Sequence, residues 1–171
     1  MTGKDVELIR KMLRKQAKLD KAIMEEYGLK ELDEGKLNLA ILDEIGELNH
    51  ELKANWCWWK KTQQSVDKGK VLGELVDIYH FVLSWHNHFD DGEDGLGSAP
   101  GVKKMVKKYS DLIKVREYKY VDLLCDIVEY PFDKVYELIA ITEYLGFDVE
   151  QVYKAYCDKN KINYQRLKEG Y

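Results

Sequence analysis

"KVLGELVDIYHFVLSWHNHF", residues 70–89, is apolar around nearly its whole circumference when wound as a helix, yet it carries Glu74 and Asp77 within that surface. A helix that is apolar on all sides belongs at the centre of a bundle, where neighbours cover every face. Patterns of the same period flank it in both directions. Residues about 4–27 bring Ile9, Leu13, Ile23 and Tyr27 to three- and four-residue spacing, with Gly28 suited to cap the end. Residues about 36–54 set Leu37, Ile41, Ile45, Leu48 and Leu52 on one stripe. Helical patterning returns over about 101–128, 131–145 and 148–157, and the two prolines, Pro100 and Pro131, fall where it breaks. The segment "DKNKINYQRLKEGY", 158–171, reads as a polar, basic tail. Strand alternation, internal repeats and low-complexity tracts are absent. The expectation is one all-α domain over 1–171, a helical bundle of about five or six helices.

Composition narrows the function classes. The chain has 171 residues, 45% hydrophobic and 34% charged, the usage of a globular domain. A formal net charge of -4 argues against a direct DNA or membrane-surface binder. No run approaches the roughly 18 apolar residues of a transmembrane helix, and the N-terminus lacks a secretory apolar core. Cys57, Cys125 and Cys157 have no C-x-x-C spacing and read as reduced thiols, a disulfide pair being the alternative. A cytoplasmic protein is expected. The Asp- and Gly-rich "DDGEDGLGSAPG", 90–101, aligns Asp90, Asp94 and Gly95 with a calcium loop. Gly92 and Gly101 then fall where oxygen ligands are required, so a solvated loop is the better reading.

The carboxylates are the chemical signal. In "DEIGELNHELKANWCWWKK", 43–61, Glu44 and Glu47 share one side of a helix near the edge of its apolar stripe. Glu74 and Asp77 repeat the three-residue spacing, with Phe81 on nearly the same line. Acids set into an apolar helix cost several kcal/mol each if ionised and unpaired. Lys70 lies one turn before Glu74, but no Lys or Arg occurs from 71 to 102. An internal salt bridge remains open, while four carboxylates from two packed helices favour an oxygen-rich Mg²⁺ or Mn²⁺ site. A carboxylate-bridged iron centre would need a second pair like Asp77–His80, which the sequence lacks. His86 and His88 have no clear third partner for zinc and read as helix-end or surface histidines.

These stretches resemble a known family, the dimeric dUTPases of the all-α NTP pyrophosphatase superfamily, which includes MazG-like proteins. The likeness lies in E-x-x-E of "DEIGELNHE", the aromatic "NWCWWKK" and E-x-x-D of "GELVDIYHFVLS". "KQAKLDKAIMEEYGL" and the terminal "DKNKINYQRLKEGY" are similar to the family's remaining signatures. A short phage or Gram-positive type is implied.

The resemblance implies hydrolysis of dUTP, and of dUDP, to dUMP by a metal-activated water attacking the β-phosphate. More than one Mg²⁺ ion is implied, held by Glu44, Glu47, Glu74 and Asp77, with Glu47, or else Glu44, as catalytic base. Lys159, Arg166, Lys60 and Asn160 would bind phosphate, and 159–171 would close over the substrate. Gln16, Asp20, Trp56, His80, Phe81 and Asn163 would meet base and sugar. Read without the family, Gln16 and Asp20 are boundary positions, the tryptophans core or interface anchors, and the basic tail a solvated end. A homodimer is implied, and a regulatory protein partner is compatible with it. The alternatives are a sister pyrophosphatase acting on dCTP or another NTP, and a non-enzymatic helical interaction module.

Overall fold

A computed structural model describes residues 1–90, 96–114, 119–130 and 132–170. Eight helices occur among them. They are α1 (Gly3–Tyr27), α2 (Glu34–Glu51), the single turn α3 (Lys53–Trp56), α4 (Lys68–Phe89), α5 (Ala99–Lys114), α6 (Tyr120–Glu129), α7 (Lys134–Tyr144) and α8 (Val149–Glu169). The all-α expectation holds, with more and shorter helices than expected in the second half. The stretch 101–128 contains α5 and α6, and residues 91–95 and 115–118, Pro131 and Tyr171 lie outside the described residues.

The ends of the long helices are set by local chemistry. The Thr2 hydroxyl accepts from the Asp5 N–H while Asp5 reaches back to Thr2, a reciprocal cap for α1. Gly28, at φ 63°, turns the chain out of α1 in the left-handed region that glycine enters without a Cβ clash. Asp33, Asp67 and Asp148 cap α2, α4 and α8. Helix α8 runs well past the expected end at residue 157. Residues 158–169 are its last turns, stopped by Gly170 in the left-handed conformation.

Helix α4 packs against α1, α2, α7 and α8 and is the centre of the bundle. Leu75, Ile78, Val82 and Leu83 are fully buried; cutting one of them to alanine would cost about 2–5 kcal/mol. His86 is buried and lies 2.9 Å from the Asp90 carboxylate, so it is a helix-end residue but not a surface one. The loop after α4 is not wholly solvated either. Leu96 is buried, and its carbonyl accepts from the Tyr136 hydroxyl at 3.2 Å. Cys57, Cys125 and Cys157 are free thiols. No helix among the described residues is long and apolar enough to cross a membrane.

Candidate active site

Helices α2 and α4 lie side by side and turn their acids toward each other. Glu44, Glu74 and Asp77 each offer one carboxylate oxygen, and the three oxygens lie within 4.8 Å of one another. All three side chains are half-buried. Burial, then the charges of Asp77 and Glu74, push Glu44 up to about 7. Burial and the neighbouring charges of Asp77 and Glu47 raise Glu74 as well. The cluster is thus short of positive charge. Lys159 of α8 supplies part of it, its ammonium 2.5 Å from Asp77 Oδ2. Lys159 pairs with only one of the three carboxylates, and the remaining hard oxygen donors are a set suited to Mg²⁺ or Mn²⁺. Glu47 is exposed and outside the three-oxygen group, though close enough for its charge to be felt by Glu74.

A cavity of about 370 Å³ lies among α1, α2, α4 and α8, with Glu44 and Asp77 in its wall. Its wall brings Glu44, Asp77 and Lys159 together with Arg166, Asn163, Gln16, Asp20, His80, Phe81 and Ser84. The apolar walls come from Leu19, Ile23 and Leu37, among others.

The deep polar groups form one network. Gln16 Nε2 donates to Asp20 Oδ1 at 2.7 Å, and Gln16 Oε1 accepts from the Tyr156 hydroxyl at 2.7 Å. His80 Nδ1 lies 2.8 Å from the same Gln16 oxygen. Burial, reinforced by Lys159, lowers His80 to about 3, so the ring is neutral. Burial raises Asp20, opposed by hydrogen bonds from Gln16 and Ser84 and by His88, whose Nε2 is 3.5 Å from Asp20 Oδ2.

The remaining expected residues are placed differently. Asn160 is buried with its Nδ2 lacking a hydrogen-bond partner among the described residues, and it is not among the residues lining this cavity. Lys60 lines a separate polar cavity of about 310 Å³ with His50, Glu51, Lys53 and Lys70. Trp56 does not line the main cavity. Its indole N–H donates to the Asn49 carbonyl and its ring leans on Trp59, which holds it on the outer surface. Tyr156 and Ser84 were missing from the sequence reading. Both were accessible by spacing: Ser84 lies one turn beyond His80, and Tyr156 one turn before Asn160.

The described residues thus form an all-helical bundle in which three carboxylates that could hold a metal ion gather beside a cavity lined in part by polar groups. A family model described as dUTPase matches residues 8–171, almost the whole chain. The chain therefore belongs to this dUTPase family, and its activity is that of a dUTP diphosphatase. No curated protein sequence matches it significantly.

Proposed function

We propose that the protein hydrolyses dUTP, and also dUDP, to dUMP in a Mg²⁺-dependent reaction at the β-phosphorus. The observation that carries this reading is the single cavity joining Glu44 and Asp77 to Gln16, Asp20 and His80. Acids that repel one another, set in one cavity wall with the uncharged hydrogen-bonding groups of Gln16 and His80, match a charged polyphosphate and an uncharged base.

Glu44, Glu74 and Asp77 would hold the ions. Bound divalent cations supply charge neutralisation on the phosphates and acidify a water molecule. Glu47, spared from the three-oxygen group, is suited to take that water's proton, with Glu44 as the other candidate. Lys159 would exchange Asp77 for a phosphate oxygen, and Arg166 at the cavity wall would add a planar, two-pronged grip. Phe81 packs where a deoxyribose would lie, and Gln16, Asp20, Asn163 and His80 present the polar groups that sort the base. The last turns of α8 bring Lys159, Asn163 and Arg166 to the cavity wall, from where this segment would close over the substrate.

A homodimer is part of the reading. Leu39 and Leu42 of α2 are 67% and 50% exposed, and Trp58 is 88% exposed beside Trp59, a concentration of apolar surface unusual for a monomer. Light scattering of the intact chain should give twice the monomer mass; the monomer mass at micromolar concentration would remove this part.

The decisive assay is product release with Mg²⁺ across dUTP, dUDP, dTTP, dCTP and UTP. Preference for dUTP and dUDP is the expected result. Preference for dCTP would instead assign the Asp20 carboxylate to an exocyclic amine and overturn the uracil reading.

A further inference from the structure

Tyr156 is fully buried on α8 and takes no direct place in the cavity wall. Its ring stacks on His80 at 4.2 Å between centroids and 18° between planes. Its hydroxyl reaches Gln16 Oε1 at 2.7 Å and, more distantly, the Met12 carbonyl at 3.4 Å. Both neighbours are acceptors, and burial keeps the phenol protonated, so the hydroxyl must donate, with the short bond going to Gln16.

That proton, together with the Asp20 acceptor, sets the direction of the bonds around Gln16. With its oxygen held by Tyr156, the Gln16 amide turns its N–H toward Asp20 Oδ1, the pairing found. His80 Nδ1 faces the same oxygen at 2.8 Å and must carry a hydrogen to bond it. A neutral ring with its hydrogen on Nδ1 has a bare lone pair on Nε2. Nε2 is buried and has no partner among the described residues, an arrangement that costs free energy until a donor arrives. The reverse network would set the Gln16 oxygen against Asp20 Oδ1, acceptor facing acceptor, and would leave the phenol hydrogen only the long bond to the Met12 carbonyl.

We propose that Tyr156 is a positioning residue. Its hydroxyl orients the Gln16 amide and thereby holds His80 as the Nδ1–H tautomer, leaving Nε2 as an acceptor for one N–H or O–H of the bound nucleoside. The ligand half rests on the nucleotide reading above; the tautomer half does not.

The two halves are tested separately with Tyr156→Phe, which keeps the ring on His80 and removes only the hydroxyl. In the full chain labelled with ¹⁵N-histidine, long-range ¹H–¹⁵N correlation should show wild-type His80 protonated on Nδ1 alone. Y156F should show a mixture of Nδ1–H and Nε2–H forms with the helical circular dichroism preserved. An Nε2–H ring in the wild type overturns the proposal, as does an unchanged pure Nδ1–H ring in Y156F. In kinetics, Y156F should raise KM for dUTP about tenfold, the size of one buried hydrogen bond, with kcat changed less than about twofold. A loss confined to kcat contradicts a positioning role on the base side. Analogues lacking the 3′-hydroxyl or methylated at N3 identify the donor, since the one that supplied it should no longer respond to Y156F. Were both to respond fully, the acceptor role of Nε2 would fall. Were the wild type to turn over no nucleotide, the nucleotide reading would fail and the tautomer result alone would decide this one.

Discussion

Glu44 and Glu137 are both carboxyls that burial drives upward, to about 7 and about 8, yet their surroundings differ in kind. Glu44 stands in the wall of a cavity, and its oxygen converges with those of Glu74 and Asp77. Glu137, on α7, is 4% exposed, with Oε2 lacking a hydrogen-bond partner among the described residues. Asp126 and Asp133 add to its upward shift, and Lys134 and Lys108 oppose it. Lys134 itself is spent on the Ile127 carbonyl and on the face of Trp85. A raised carboxyl therefore does not by itself mark an active site. Convergence of several oxygens on a point open to a cavity separates the first acid from the second.

The largest effect should come from removing charge at the two places in turn. Asp77→Asn or Glu74→Gln should lower kcat/KM for dUTP roughly 100- to 1,000-fold, while Glu137→Gln should leave it within about twofold. Equal losses at both places, measured by product release, would erase the distinction.

A smaller effect should appear in stability against pH. For each acid the folded state holds its proton above the ordinary 4.5, so between that value and the raised one the folded form binds more protons than the unfolded. Stability must then fall as pH rises, through about 7 for Glu44 and about 8 for Glu137. Glu137→Gln should flatten the upper part of the Tm-against-pH curve by about 2–4 °C. Adding Mg²⁺ should recover the Glu44 part alone. Recovery of the Glu137 part by Mg²⁺ would mean that the second acid also meets cations.

Much of this was legible in the sequence because the central helix announced itself. Residues 70–89 are too apolar to lie on a surface, so Glu74 and Asp77 had to be explained, and Glu44 followed from its matching spacing on α2. The end of α8 was harder to place. Residues 158–169 are polar, and polarity suggested a tail, but Lys, Gln, Arg, Leu and Glu are good helix formers and no breaker occurs before Gly170. Asp148 and Gly170 bracket that helix and were the better signal. Trp56 was drawn toward the base pocket by its family position, whereas a local hydrogen bond to Asn49 keeps it outside. Tyr156 lies at a suitable spacing before Asn160, but spacing does not give it a role. A tyrosine on an apolar stripe looks like core, and only the three-dimensional partners of its hydroxyl reveal what it orients.

The most direct test of the account is an anomalous difference map from crystals grown with Mn²⁺ and a dUTP analogue bridged by nitrogen between its α- and β-phosphorus atoms. The account predicts manganese peaks among the carboxylates of Glu44, Glu74 and Asp77, with the Lys159 ammonium moved from Asp77 to a phosphate oxygen. A map with no peak there, and Lys159 still seated on Asp77 beside bound nucleotide, would contradict it.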